Sequence, residues 1–266
     1  MRGLLSFFYG VAAYVAGLAV LLYFIGFSGN LLVPRSVDFG ASAPWPEALG
    51  IDLLLLALFG VQHSVMARRG FKRWWTRVVP PAVERSTFLV ATCAVLALMF
   101  RFWVPIEAPV VWQVEHTAGV AVLWGLFGLG WLLVVVSTYL IDHFELFGLQ
   151  QVFARLMRRA LPEARFVTPL LYRYVRHPLY VGLLLGLWSV PVMTAGRLLF
   201  ALGLSVYILI GIAFEERDLV RQFGERYRTY REQVGMLIPH ARRRAPMPSA
   251  PDAAAEVVTV RVKGLG

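Results

Sequence analysis

The fold of this chain follows from a junction at residues 176–182, which read Arg176-His177-Pro178-Leu179-Tyr180-Val181-Gly182. Here a basic loop enters an apolar segment. A second polar cluster, Glu215-Glu216-Arg217-Asp218, stands where the chain leaves the next apolar segment. The residues between them suffice only for a tight helical hairpin, which would return both clusters to the same membrane face. Ionisable groups are costly at that depth, so their clustering indicates a functional site.

The composition is that of an integral membrane protein. Of 266 residues, 58% are hydrophobic and only 16% are charged, and the mean hydropathy is +0.64. A hydrocarbon core of about 30 Å takes about 20 helical residues to cross, and the last two apolar segments are shorter than that. We predict an all-α, multi-pass transmembrane helical bundle of five to six spans, the last two a helical hairpin, with a cytoplasmic-side cofactor pocket. The apolar segments are 4–27, 48–67, 86–104, 118–141, 178–194 and 197–214.

The distribution of lysine and arginine predicts the orientation. Of 26 such residues, six lie in 68–85, six in 142–177 and ten after 216, whereas the alternate loops carry only Arg35 and Arg197. Positive residues accumulate on the cytoplasmic side, so we expect both termini to face the cytoplasm. The net charge of +10 then reflects topology and attraction to anionic membrane lipid, and we expect no nucleic-acid partner.

The first polar cluster has the chemistry of an anion site. Pro178 fits the first turn of a helix, where its missing N–H is not needed. Arg176 and His177 would lie just outside that helix, beside free backbone N–H groups and the positive end of the dipole, where a carboxylate or phosphate could dock. Gly182, one turn further in, allows a backbone or a ligand to approach closely. The alternative is a snorkelling arginine beside a helix-capping histidine.

The second polar cluster complements the first. Glu215 and Glu216 lie at the end of an apolar span, where an unpaired carboxylate is costly. Adjacent helical residues point about 100° apart, so one carboxylate can face an inner cavity while the other pairs with Arg217 or Arg221. The inward carboxylate could accept hydrogen bonds from a ribose or an ammonium group. The alternative is a pair of solvated charges that mark the end of the span.

The two clusters form one ordered pattern: Arg-His-Pro-x-Tyr-x-Gly, a short hydrophobic hairpin, Glu-Glu-x-x-Leu, then Phe-Gly-x-x-Tyr-x-x-Tyr at 223–230. This pattern resembles the membrane methyltransferases of the isoprenylcysteine carboxyl methyltransferase and phospholipid methyltransferase type, in which the region binds S-adenosylmethionine. The resemblance implies that His177 and nearby amides meet the methionine carboxylate, and that Glu215 or Glu216 meets another polar group of the cofactor. It also implies a pocket lined by Tyr174, Arg176, Pro178, Tyr180 and Gly182.

Motifs in the N-terminal half are similar to those of one particular group of membrane methyltransferases. The motifs at 62–75, Glu84-Arg85-Ser86-Thr87 and Asp142-His143-Phe144-Glu145 are similar to those of the bacterial methanethiol S-methyltransferases. Membrane proteins named for a role beside nitrite and nitric oxide reduction share parts of both stretches, 62–87 and 142–149. The resemblance implies a bacterial inner-membrane enzyme and a small thiol substrate. It also implies a substrate side that includes Ser64, Arg85 and Ser86.

A thiol acceptor calls for a base, because the thiolate is the reactive form. A histidine or carboxylate within reach could take the proton. His143, steered by Asp142 or Glu145, is our first candidate and His63 our second; for each, the alternative is packing between spans. No helical His-x-x-x-His spacing supports a metal, and the single cysteine, Cys93, lies mid-span, so we expect no metal site.

We divide the chain into three parts. Residues 1–141 form the N-terminal transmembrane helices, on the substrate side. Residues 142–240 form the cofactor-binding methyltransferase core, in which we expect an amphipathic interface helix over 150–161 and a separate polar helix over 215–234. Residues 241–266, basic and rich in proline and alanine, are predicted to be a disordered tail.

The resemblance and the paired clusters favour a membrane-embedded enzyme that moves the methyl group of S-adenosylmethionine onto methanethiol and gives dimethyl sulfide. One alternative is the same chemistry on a lipid-like acceptor, such as a prenylated thiol, a phospholipid amine or an isoprenoid alcohol. Another is a membrane transporter or structural partner, which would need a polar path through the bilayer. The mid-span residues are overwhelmingly apolar, which argues against that alternative.

Overall fold

The computed structural model describes residues 2–162 and 166–239, and within them it confirms an all-α membrane bundle. The predicted tail at 241–266 lies outside these residues. In this described part of the chain, five helices are long and apolar enough to cross a membrane: α1 (Arg2–Gly29), α2 (Trp45–Ala67), α4 (Pro81–Phe102), α5 (Thr117–Ile141) and α9 (Ala195–Phe223). The shorter elements are α3 (Arg69–Trp75), β1 (Val110–Gln113), α6 (His143–Leu146), α7 (Leu149–Leu156), a 3-10 turn (Leu170–Arg173), α8 (Pro178–Trp188), β2 (Val192–Thr194) and α10 (Glu225–Gln233).

The hairpin of α8 and α9 crosses the bundle completely, although α8 is short. Its 11 residues span about 16 Å at about 1.5 Å per residue. The chain then continues through extended residues 189–194, which rise about 3.3 Å each. Strand β2 pairs antiparallel with β1, Val110 opposite Thr194, at the face remote from the basic loops. These two strands were not predicted from the sequence.

Helix α8 packs against α5 through glycines. A Cβ added at Gly182 would lie 2.6 Å from the carbonyl oxygen of Gly130 on α5. A Cβ added at Gly130 would lie 2.6 Å from the backbone nitrogen of Gly186. The two backbones are therefore closer than any side chain permits. Of the two roles that the sequence allowed for Gly182, close approach of a backbone is the one that the fold uses.

Helix α9 continues well beyond the membrane, which corrects the expectation of a separate polar helix over 215–234. Its 29 residues run from Ala195 to Phe223 and measure about 43 Å, more than a hydrocarbon core of about 30 Å. The break comes at Gly224, whose φ of 57° suits glycine. Helix α10 then folds back toward α8.

The predicted interface helix over 150–161 is α7, which is shorter and ends at Leu156. Its inner face presents Val152, fully buried against Gly10 of α1. The expected apolar face, which includes Phe153 and Met157, is about half exposed and points outward from the bundle, where lipid lies.

A buried ion pair connects two segments at the face remote from the basic loops. Arg197, in the first turn of α9, places Nη2 2.5 Å from Asp38 Oδ2. The other oxygen of Asp38 accepts from the hydroxyl of Thr194 at 2.6 Å. All three side chains are largely buried. This contact joins the loop after α1 to the start of α9.

Candidate active site

The structure brings the two polar stretches of the hairpin together on the basic face. His177 places Nε2 3.2 Å from Glu216 Oε1 and Nδ1 3.9 Å from Glu215 Oε2. The guanidinium of Arg176 donates from Nε to the same Glu216 oxygen at 2.7 Å. His177 and both glutamates are more than 90% buried. We call these four residues the carboxylate cluster.

The two glutamates of the cluster face different partners because they are adjacent on one helix. Tyr180, one turn into α8, donates its hydroxyl to Glu215 Oε2 at 3.0 Å. Glu216 instead faces the basic side chains, and its second oxygen lies 3.3 Å from Arg231 Nε. One carboxylate is thus balanced by a phenol and the other by two guanidinium groups.

The segment after α10 completes the cluster. The backbone N–H groups of Arg176 and His177 donate to the carbonyls of Gly235 and Met236 at 2.8 and 3.2 Å. Arg176 Nη1 donates to the carbonyl of Val234 at 2.5 Å. Pro178 occupies the first turn of α8, as the sequence predicts, and needs no partner for its nitrogen. The chain entering α8 is therefore fixed by a neighbouring extended segment.

Three tyrosines form the wall behind the carboxylate cluster. Burial, together with the charges of Glu215 and Glu216, raises the pKa of Tyr227, and burial is also the main cause of the raised pKa of Tyr172 and Tyr230. Each hydroxyl therefore stays protonated and can donate. Tyr230 donates to the carbonyl of Tyr172 at 2.6 Å. The hydroxyl of Tyr227 is buried and has no hydrogen-bond partner among the described residues.

Two predicted pocket residues stand apart from this cluster. Tyr174 is 59% exposed and lies at the surface beyond the 3-10 turn. Gly182 is buried against α5. Sequence reasoning missed Arg231 and Tyr227, which α10 delivers to the cluster. The Phe-Gly-x-x-Tyr-x-x-Tyr spacing was the available signal, since it places Tyr227 and Tyr230 on one face of a helix.

His143 belongs to a second, separate polar group at the inner end of α5. Its Nδ1 lies 2.9 Å from the hydroxyl of Thr138, which donates its own proton to the carbonyl of Val135. The imidazole must therefore donate from Nδ1, and Nε2 accepts from the hydroxyl of Tyr14 at 2.8 Å. Burial lowers the pKa of His143, against the opposing charge of Asp142. Both ring nitrogens are thus engaged in a neutral imidazole.

The residues around His143 shape the turn from α5 to α7. Asp142 caps α6 by accepting from the N–H of Glu145 at 3.1 Å. Arg85 donates from Nε to the carbonyl of Leu146 at 2.9 Å. Ser86 is fully buried beside Gly148, whose φ is 85°. These contacts connect α4 to the turn, and none of them reaches the carboxylate cluster.

His63 belongs to α2, and its side chain faces α4 and α9. Its Nδ1 is 3.3 Å from the hydroxyl of Thr92, and its ring centre is 4.8 Å from that of Phe88. On the α9 side, the ring of Tyr207 is 6.0 Å away. Tyr207 also interacts with Ser64, the neighbour of His63. His63 therefore approaches the helix that carries both glutamates, about two turns before Glu215.

Metal ligands do not converge at either polar group. Among residues 2–162 and 166–239, no group of three or more histidine, cysteine, aspartate or glutamate side chains could hold a metal ion. The chemistry of the carboxylate cluster is that of charge recognition: cationic and carboxylate groups close together, shielded from water.

The chain is similar to known methyltransferases. The phospholipid methyltransferase family matches residues 115–226, from just before α5 to the start of α10. Methanethiol S-methyltransferase from Mycobacterium tuberculosis is 48% identical over 239 residues, which cover 90% of this chain and 98% of that protein. The enzyme of the same name from Pseudomonas deceptionensis is 53% identical over 215 residues, covering 81% and 82%.

A more distant relative is Nurim from Sus scrofa, 34% identical over 179 residues, which cover 64% of this chain and 68% of that protein. No solved structure matches the chain.

Proposed function

We propose that this chain, which belongs to the methanethiol S-methyltransferase family, transfers the methyl group of S-adenosylmethionine to methanethiol, giving dimethyl sulfide and S-adenosylhomocysteine. The observation that carries the proposal is the carboxylate cluster, in which α8 and α9 bring His177 and Arg176 against Glu215 and Glu216. The matched family region runs through this cluster.

The residues present fit S-adenosylmethionine. Arg176, His177 and the first N–H groups of α8 supply donors and positive charge for its carboxylate. Glu215 and Glu216 can accept from its ammonium group or its ribose hydroxyls. The buried hydroxyl of Tyr227 has no partner among the described residues, as expected of a group that donates to a ligand. When bound, the cofactor supplies a methyl group activated by a positively charged sulfur.

The chain's own task is to bind the thiol in line with that methyl group and to accept its proton. We propose His63 for the proton, because its ring centre lies 6.0 Å from that of Tyr207 on α9, about two turns before Glu215. His143, the first candidate from the sequence, becomes the second here, because it would have to release the hydroxyl of Tyr14 to act. Ser64, beside His63, then belongs to the substrate side.

The setting we propose is the bacterial inner membrane, with the carboxylate cluster at the cytoplasmic surface. The basic loops after α2 and α5 lie on the same face as the cluster, and cationic loops stay in the cytoplasm. S-adenosylmethionine can then reach the cluster from the cytosol, whereas methanethiol and dimethyl sulfide, which are small and apolar, enter and leave through lipid.

The alternative acceptor is lipid-like, and the match to the phospholipid methyltransferase family is the observation that favours it. Headspace analysis for dimethyl sulfide, together with mass spectrometry of extracted lipids, tests both acceptors in cells that express the chain. We expect dimethyl sulfide to accumulate when methanethiol is supplied. Methylated lipid without dimethyl sulfide would show the acceptor to be lipid-like.

Calorimetry with purified protein tests the cofactor site separately. S-adenosylhomocysteine should bind the wild type, and both His177→Ala and Glu216→Ala should weaken that binding. Tyr174→Ala is the matched control, because Tyr174 lies outside the cluster at the surface. Undiminished binding in both cluster variants would refute the site.

A further inference from the structure

A basic pocket lies on the same face as the carboxylate cluster but between other elements. It encloses about 440 Å³ where the end of α2 and the start of α3 meet α9. We call it the arginine pocket. Its lining residues are Arg68, Arg69, Gly70, Arg73, Phe214, Arg217, Asp218 and Arg221.

The positive charge of this pocket is largely uncompensated. Asp218, the one acidic lining residue, lies 3.3 Å from Arg221 and neutralises it. Arg69, Arg73 and Arg217 form no ion pair with any described residue, and the same holds for Arg68. Like charges gathered around one cavity repel each other, and an anion in the cavity would relieve the repulsion.

The guanidinium groups are positioned by aromatic and backbone contacts. Arg68 lies 4.0 Å over the ring of Phe214 and donates from Nε to the carbonyl of Ser64 at 3.2 Å. Arg217 lies 5.6 Å over the same ring from the next turn of α9. A guanidinium held this way can bind phosphate through two parallel hydrogen bonds.

An apolar stripe leads from the pocket into the membrane. Phe214, Ile210 and Val206 stand four residues apart on α9 and therefore share one face of the helix. Their side chains are 37%, 49% and 55% exposed. The stripe runs away from the basic face toward the middle of the span. A ligand with a phosphate at the pocket and a hydrocarbon chain along the stripe would cover both surfaces.

We propose that the arginine pocket binds the phosphate headgroup of an anionic phospholipid, with one acyl chain along the stripe of Phe214, Ile210 and Val206. Phosphate alone is also carried by soluble metabolites. The apolar stripe favours the lipid, because a soluble phosphate would leave it uncovered. This pocket is distinct from the carboxylate cluster, because Glu215 and Glu216 project from another side of α9 than Phe214.

Native mass spectrometry of the full chain in detergent tests the proposal. We expect phosphatidylglycerol to remain bound under conditions that remove phosphatidylcholine. Replacing Arg69 and Arg73 by glutamine should weaken retention by about fivefold per arginine. Arg77→Gln is the matched control, since Arg77 is exposed in the same loop but does not line the pocket, and it should retain phosphatidylglycerol like the wild type.

Three outcomes would overturn the proposal. Equal retention of phosphatidylcholine would show that the pocket does not select an anionic lipid. Displacement of phosphatidylglycerol by millimolar glycerol 3-phosphate would identify the ligand as a soluble phosphate. Unchanged retention in Arg69→Gln/Arg73→Gln would remove the pocket from the interaction. Because both arginines are exposed, the double variant should keep the wild-type thermal midpoint without lipid, which shows that it is folded.

Discussion

Arg176 Nε lies 2.7 Å from Glu216 Oε1, although 40 positions separate the two residues in the chain. The same guanidinium donates to the backbone carbonyls of Arg231 and Val234. Arg176 therefore joins the entry to α8, the inner end of α9 and the segment after α10. The carboxylate cluster therefore also stabilises the fold, because it connects these three segments.

Replacing Arg176 should lower the free energy of unfolding. Replacing Arg176 by glutamine leaves Glu216 buried with fewer cationic partners, and breaking a buried ion pair costs about 3 kcal/mol. Arg176→Lys keeps the charge but cannot reach Glu216 and the carbonyls together, so it should fall between glutamine and the wild type. Thermal unfolding in detergent measures both. Arg228→Gln, which breaks only the exposed pair with Glu225, should leave the midpoint unchanged; an equal loss there would contradict the assignment.

Two neighbouring tyrosines should respond differently to loss of the hydroxyl. Tyr227→Phe removes a group with no partner among the described residues, so the ligand-free protein should be at least as stable as the wild type. Its affinity for S-adenosylhomocysteine should drop by about fivefold, the value of about one hydrogen bond. Tyr230→Phe loses the bond to the carbonyl of Tyr172 and should lower the thermal midpoint. Calorimetry together with thermal unfolding decides; unchanged affinity in Tyr227→Phe would remove it from the site.

The contact between α5 and α8 predicts a strong effect of one methyl group. In Gly182→Ala the new Cβ would lie 2.6 Å from the carbonyl oxygen of Gly130, so the helices must separate. We expect a lower thermal midpoint and weaker binding of S-adenosylhomocysteine, because α8 carries His177. Gly128→Ala is the matched control on α5, where nothing lies within 4 Å and alanine favours the helix. A midpoint for Gly182→Ala as high as that of Gly128→Ala would show that the glycine contact is dispensable.

His143 predicts a pH dependence of stability. Burial lowers the pKa of its imidazole below the ordinary value of 6.5, so the unfolded chain takes up a proton that the folded chain resists. The contribution of His143 to the free energy of unfolding should therefore be fully present above about pH 6.5. It should decline as the pH falls toward the lowered pKa of the folded state. The loss of thermal midpoint between about pH 7.5 and about pH 5.5 should be smaller in His143→Gln than in the wild type. The exposed His116→Gln should behave like the wild type; an identical loss in all three proteins would exclude His143 as the source.

The crossing pattern could be predicted from the sequence, because apolar runs and basic loops alternate clearly. The end of α8 could not. Residues 178–194 form one continuous apolar run, and a run of this kind does not reveal where a helix gives way to a strand. Strand β2 forms because its partner β1 approaches from a distant part of the chain, and such pairing leaves no local signal. Likewise, the polar sequence around Glu215 suggested a new helix, yet nothing breaks α9 before Gly224.

At the site, the meeting of His177 with Glu216 could be predicted from the hairpin alone. The contribution of Arg231 could not, since it depends on the direction in which Gly224 turns the chain. The engagement of both nitrogens of His143 also escaped prediction, because Tyr14 reaches it from a helix 129 positions away. Local motifs identified the polar residues, and only the packing of helices assigned their partners.

Helix α9 is anchored by Arg197 to Asp38 at one end and presents Glu215 at the other, about 27 Å along the axis. Slippage by a single residue would swing each carboxylate by about 100°, out of reach of its partners. The direction in which Glu215 and Glu216 point from α9 thus depends on the ion pair between Arg197 and Asp38 at the other face of the membrane. A compound that reached only that face and separated Asp38 from Arg197 would therefore disturb the carboxylate cluster without contacting it.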